Sequence, residues 1–406
     1  MVDILAASQQ EQAESKTDAG LRTLTLISVA HWVSHVHMLV LPMLFPFLKA
    51  ALGVDYLQLG FALTVFAVVS ALTQAPTGYL VDHFGARRIL LIGMILGGLS
   101  LILLALHLTY PVLVASAVLL GLANSVYHPA DYAILAAHMD EARMGRAFSI
   151  HTFAGYLGTA VTPAIVAGLS IWVGGAGALI VIGAIGIVVA LSLLLFGVPE
   201  ASAKHQTASG EKPTRQSIIT PALMVLTIFF MLLGLSSAGI SNFGLVALIN
   251  GYGASFSTAN VALTAYLGAA AVGVLAGGFL ADHTRRHGQV AAVCFGINTA
   301  IVLVIALVAL PAALLMIAMT VAGFLGGVIA PSRDMLVRNA APAGAAGRAF
   351  GLVSTGFNFS GILSPVLFGW IMDQNLPHWV FGLSALFMVL TVLLTPFTER
   401  KAAAAL

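Results

Sequence analysis

Three histidines, His31, His35 and His37, fall within seven residues in the segment AHWVSHVHM. A second stretch, ANSVYHPADY, gathers Asn124, Tyr127, His128 and Asp131, and a third, PSRDM, sets Arg333 beside Asp334. All three lie inside long apolar runs. Their residue types admit three kinds of chemistry. Imidazole and carboxylate groups facing a wet cavity exchange protons. The planar fork of Arg333 takes a carboxylate or phosphonate bidentately. Two imidazoles four residues apart chelate a transition-metal ion. At that spacing His31 and His35 share one helix face, whereas His37 points elsewhere. Further polar groups in apolar surroundings are His151, Tyr156, Ser236, Ser237, Asn242, Ser354, Thr355 and Asn358.

The elements that must carry these groups follow from composition. The chain is 60% apolar and only 8% charged, with a mean hydropathy of +1.02. Too little polar surface exists to coat a water-soluble globule of this size, so the sequence describes an integral membrane protein. The 41 glycines suit closely packed transmembrane helices. The single cysteine, Cys294, provides no disulfide framework, and a formal charge of +2 gives no reason to expect a nucleic-acid partner. The first twenty residues lack a basic start followed by an apolar run, so no removable signal peptide is expected.

At about 20 residues per crossing, spans are expected at 21–48, 57–81, 87–107, 111–138, 146–171, 175–197, 220–249, 257–281, 289–309, 312–337, 348–371 and 376–396. This gives an all-α membrane protein of twelve helices in two bundles, 21–198 and 219–397. A polar linker at 199–218 joins them, with tails at 1–20 and 398–406. Of the 17 Lys and Arg residues, only Lys49 falls in a loop at the end opposite the termini. The positive-inside rule therefore makes the termini cytoplasmic, in the inner membrane of a bacterium. Trp172 and Trp379 then belong at the outer interface.

The halves repeat. Pro129 falls on Pro331, the tetrad Gly145 to Phe148 on Gly347 to Phe350, and Thr162-Pro163 on Ser364-Pro365, all at an offset of 202. The same offset maps Asp131 onto Arg333. Each lies roughly 7 to 9 residues, or about 10 to 14 Å of helix, from the terminus-bearing end. Ionisable groups at that depth are costly and mark function by default. Parallel duplicated bundles place a substrate site between them near the midplane.

The turn GYLVDHFGARR after the second span, with its partner GFLADHTRRHG, resembles the signature turn of the major facilitator superfamily, and the resemblance extends over essentially the whole chain. It rests on Gly78, Leu80, Asp82, Gly85, Arg87 and Arg88. In the second copy Gly278, Leu280, Asp282, Arg285 and Arg286 stand, with the later glycine displaced. The resemblance implies two rocking bundles around a central cavity. It also implies a gate in which Asp82, Arg87, Arg88, Asp282, Arg285 and Arg286 form contacts that make and break. Within the superfamily, His31, Gln58-Leu59-Gly60, Gln74 and His128-Pro129 look like the fosmidomycin-resistance type of exporter. Two places depart from that type: Ser34-His35 stands for Asn-Asp, and Ala130 occupies the acidic position, with Asp131 one place later. In span five, Gly155, Gly158, Thr162, Pro163 and Gly168 resemble a degenerate antiporter motif.

The expectation is a proton-coupled exporter of a small anionic or amphiphilic organic compound, acting as a monomer and driven by the proton gradient with no cofactor. Substrate contacts are assigned to Arg333, His128, Tyr127, Asn124, Ser237, Asn242 and Asn358, and proton exchange to Asp131, His35 and His31. Arg333 could instead pair with Asp131 or Asp334 and merely hold the bundle. An importer of an organic anion is the alternative carrier. A second is a transition-metal path through His31, His35 and His128 with Met38 and Met43, although the expected site holds no metal. No H-E-x-x-H, G-x-S-x-G or nucleotide loop points to an enzyme or an ATP-driven pump.

Overall fold

The computed structural model describes residues 2–139, 143–198, 200, 219–284, 286–342 and 346–399. The linker apart from Glu200, the C-terminal tail beyond Glu399, and Arg285 of the expected gate lie outside the described residues. The described chain is entirely helical: α1 (Val2–Met43), α2 (Phe45–Leu52), α3 (Tyr56–Phe84), α4 (Ala86–Leu106), α5 (Tyr110–His138), α6 (Met144–Leu195), α7 (Pro221–Tyr252), α8 (Phe256–His283), α9 (His287–Leu307), α10 (Ala312–Ala340), α11 (Ala346–Asp373) and α12 (His378–Glu399).

Three adjustments relate these helices to the expected spans. The first span is broken at Leu44, between Pro42 and Pro46, where the Leu44 amide donates to both the Val40 and Leu41 carbonyls and α2 starts afresh. A proline lacks the amide that would continue the ladder, so a Pro-x-x-x-Pro segment kinks there. Spans five and six are instead continuous in α6, interrupted only at Gly174, whose φ of 74° is open to glycine and strained for other residues. The chain reverses at that point. Gly155 packs on His31 and His35, Gly175 on Phe47 at the opposite end, and Gly186 back on His37. The helical part of the first segment also begins at Val2 rather than near residue 21.

Local sequence fixes the helix starts. Asp55 accepts from the Gln58 amide at 2.7 Å while Gln58 Oε1 accepts from the Asp55 amide at 3.0 Å, a reciprocal cap for α3. Thr220 and Ser255 cap α7 and α8 in the simpler way.

Packing divides the helices into two bundles. Helices α1 and α3 to α6 pack together, as do α7 to α12, and the halves meet chiefly along α3 with α11 and α6 with α8. Small residues allow these approaches. A Cβ on Gly60 would stand 2.1 Å from the Pro365 carbonyl oxygen, so α3 and α11 are in backbone contact. Large apolar side chains such as Ile171, Val188, Leu195 and Phe279 face outward. That surface would aggregate in water and is matched by lipid. Trp172, beside the reversal at Gly174, and Trp379, at the start of α12, are likewise exposed.

Candidate functional site

Inter-bundle polar contacts concentrate away from the termini. The Asp373 carboxylate, at the end of α11, accepts from the amides of Tyr56 at 2.9 Å and Leu57 at 2.6 Å, at the N-terminus of α3 in the other half. Lys49 Nζ stands 3.9 Å from the same carboxylate, and Asn250 donates to the Tyr56 hydroxyl at 3.0 Å. Two orphan helix amides and a cation thus meet one anion. Deeper, Thr64 donates to the Ile362 carbonyl at 2.8 Å and Asn260 to the Pro163 carbonyl at 2.9 Å. We expect Asp373→Asn to weaken closure of this end by about 1.5 to 3 kcal/mol, the worth of hydrogen bonds to a charged group. Thiol labelling of Leu57→Cys in a Cys294→Ser background should accelerate accordingly, and an unchanged rate would show that closure does not depend on the carboxylate.

At the terminus-bearing end the expected gate is separated. Asp82 and Asp282 are exposed, and among the described residues no ion pair joins either to the other bundle. The Arg87 amide donates to Glu200 at 2.9 Å and Arg88 Nε lies 3.9 Å from the same carboxylate, so both engage the start of the linker. Arg286 is exposed at the start of α9.

Between the halves lies a cavity of about 330 Å3. His35, Met38, Tyr156 and Thr159 line one side, and Ser236, Ser237, Ser241, Tyr266, Asn298, Arg333 and Phe357 the other. Arg333 is the cavity's cation. Its Nε donates to Asp334 at 2.8 Å, and its guanidinium lies over two rings, 4.9 Å from the Phe230 centroid and 5.1 Å from that of Phe357. Such stacking orients the fork without neutralising it. Asp131 does not pair with Arg333: the basic groups beside it are two histidines.

Those histidines form the most concentrated polar cluster in the described interior. Asp131 is fully buried, with Oδ2 3.6 Å from His31 Nδ1 and 3.5 Å from His151 Nε2. The His31 and His151 rings stack at 4.0 Å, and His31 also approaches His35 at 4.7 Å and His128 at 5.4 Å between centroids. Helices α1, α5 and α6 supply these groups, and Gly155 makes room for them. A Cβ there would fall 2.6 Å from Nε2 of both His31 and His35. His35 bridges cluster and cavity, because its ring lies 4.7 Å from that of His31 while it lines the cavity, where its Nδ1 meets Thr159 Oγ1 at 2.8 Å.

The remaining sequence-derived residues are scattered. Ser237 lines the cavity. His128 is exposed beside the cluster. Asn124 donates to Ser70 at 2.8 Å, and with Tyr127 it borders a void of only about 10 Å3. Asn242 and Asn358 do not line the cavity. His37 is buried between α4 and α6, 3.3 Å from the Ile182 carbonyl. Of the two methionines on the expected metal path, Met38 lines the cavity and Met43 is core.

The arrangement of two bundles about a central cavity agrees with sequence comparison, in which residues 27–252 and 226–405 each match the model of the Major Facilitator Superfamily. The chain belongs to that superfamily. It is therefore a multi-pass membrane carrier that moves a small molecule by alternating access, and its family is one of transporters rather than enzymes. Among curated proteins, it is 26% identical to the fosmidomycin resistance protein of Escherichia coli (strain K12) over 289 residues, 70% of each chain. Among solved structures, it superposes with a TM-score of 0.78 on a bacterial homologue of the human lysosomal transporter Spinster in an inward-facing, occupied conformation. That pair is 14% identical, covering 93% of this chain and 96% of the other. A point mutant of the nucleoside transporter NupG superposes at 0.75, with 17% identity and coverage of 94% and 99%. These superpositions concern the fold alone.

Proposed function

We propose that the protein is a proton-coupled exporter of a small anionic or amphiphilic organic compound, of the fosmidomycin-resistance type, in the inner membrane of a bacterium with both termini cytoplasmic. The observation that carries the reading is the division of labour across the cavity. A single oriented guanidinium, Arg333, lines one side, and His35 lines the other with a buried carboxylate among imidazoles, Asp131 with His31 and His151, behind it. In this reading Arg333 binds the anion through its terminal nitrogens while Phe230 and Phe357 cover its faces. Asp131 holds the exchanged proton, and His35 passes it to the cavity.

The 26% identity to the fosmidomycin resistance protein supports the likeness to that type of carrier, from which the export direction is proposed. The distribution of Lys and Arg supports the orientation. Under that orientation the closed end is periplasmic, and the separated Asp82 and Asp282 turns are a cytoplasmic gate in its open state. Their contacts form when the bundles rock the other way.

The test is transport in proteoliposomes, with an imposed pH gradient and a panel of phosphonates, carboxylates and amphiphilic drugs. Gradient-driven accumulation of one class, abolished by collapsing the gradient, supports the reading. Accumulation indifferent to the gradient contradicts it.

A further inference from the structure

The geometry points to a divalent transition-metal site formed by His31, Asp131 and His151, with Zn2+ or a similar borderline ion as its ligand. One potential donor atom from each residue lies within 4.8 Å of the others. The N···O separations of 3.5 and 3.6 Å exceed the ordinary hydrogen-bond range of about 2.7 to 3.2 Å. They are close to the edge of a tetrahedron, about 3.4 Å when metal–ligand bonds are about 2.1 Å. The carboxylate thus sits at coordination distance from both imidazoles without bonding either, and one of the two rings, which stack at 4.0 Å and 24°, has to turn for both lone pairs to meet a common ion.

Two independent observations support a cation there. Both oxygens of the fully buried Asp131 lack a hydrogen-bond partner, as do His31 Nδ1 and both ring nitrogens of His151. A buried carboxylate without a donor is costly, and an ion placed between it and two imidazoles satisfies all three. The opposing charge expected nearby is also absent from the cluster, because Arg333 is engaged by Asp334.

Imidazole nitrogen with a single carboxylate favours Zn2+ and its neighbours over Mg2+ or Ca2+, which require mainly oxygen. Three protein ligands leave a coordination position open, as in exchangeable rather than structural sites. The exposed His128, whose ring is 5.4 Å from that of His31, and the exposed Tyr132, 5.8 Å from the His151 ring, flank the cluster. The inference goes beyond the proposed transport cycle and does not depend on its substrate.

The experiment is Co2+ titration of tag-free protein in detergent, read by visible absorption, with Zn2+ competition by calorimetry. We expect d–d bands of four- or five-coordinate Co2+ at one equivalent per chain, displaced by Zn2+. Asp131→Asn and His151→Gln should each weaken binding by about 100-fold or more, at least as much as loss of an outer-shell partner costs. His83→Gln, at the exposed end of α3, should leave it unchanged. Zinc-edge X-ray absorption of the wild type is independent of how the variants fold and should show two imidazoles with oxygen ligation. No saturable binding, binding unaffected by the Asp131 and His151 substitutions, or a zinc spectrum without imidazole would each overturn the proposal. A transport assay that failed to show proton coupling would bear on the proposed function and leave these readouts unaltered.

Discussion

Asp131→Asn is expected to reduce gradient-driven transport to the level of protein-free liposomes while preserving substrate exchange in the absence of a gradient. Asparagine is nearly isosteric and retains a polar terminus, so the packing of α5 against α1 and α6 is conserved. What it lacks is a site that gains and loses a proton. The carboxylate is fully buried with His31 and His151 as its nearest basic groups, and among the described residues no neighbouring acid is placed to substitute for it. Exchange needs only that the loaded carrier reorient, so it should survive. Parallel measurements of accumulation and counterflow on one preparation separate the two effects. Undiminished accumulation in the variant would remove Asp131 from the proton path.

Arg333→Met should weaken binding of an anionic substrate by about 10- to 150-fold, equivalent to the roughly 1.5 to 3 kcal/mol associated with a hydrogen bond to a charged group. Methionine keeps an apolar stem between Phe230 and Phe357 but removes both charge and donors. Arg333→Lys should recover only part of the loss, since an ammonium supplies charge without the fork. Equilibrium binding across a pair of compounds differing only in the anionic group checks this. The effect should appear for the anion and vanish for its neutral analogue. Equal losses for both would mean that Arg333 merely organises the cavity wall through Asp334.

The architecture was readable because its causes are periodic and local. Apolar runs, the offset linking Pro129 to Pro331, and charged turns at Asp82 and Asp282 are each written along the chain. The Gln58-Leu59-Gly60 segment illustrates how far such signals extend. Gln58 completes the cap on α3, and Gly60 permits backbone contact with Pro365, yet neither partner is visible from the segment itself.

The site was less legible for the same reason. His151 stood among the candidate polar residues but received no role, although it completes the cluster around Asp131. A usable signal existed. Asp131 and His151 lie at similar distances on either side of the turn joining α5 and α6, and adjacent antiparallel helices bring such residues to one depth. Thr159, Ser241 and Asn298 line the cavity without any sequence pattern to distinguish them from ordinary packing residues. Asn242, one position from Ser241, does not line it, because a single residue rotates a helix face by about 100°. Asp373 carries no sequence mark of its inter-bundle contact. Its partners are backbone amides more than three hundred residues away, a pairing that side-chain types do not encode.

The central claim is that substrate and proton compete for one carrier, and the most direct test is proton release by purified protein in weakly buffered detergent. Organic anions and amphiphilic drugs would be added singly to wild type and to Asp131→Asn. One compound class should release protons stoichiometrically from the wild type and none from the variant. Saturable binding of that compound with no proton released, or with the same release from Asp131→Asn, would contradict it.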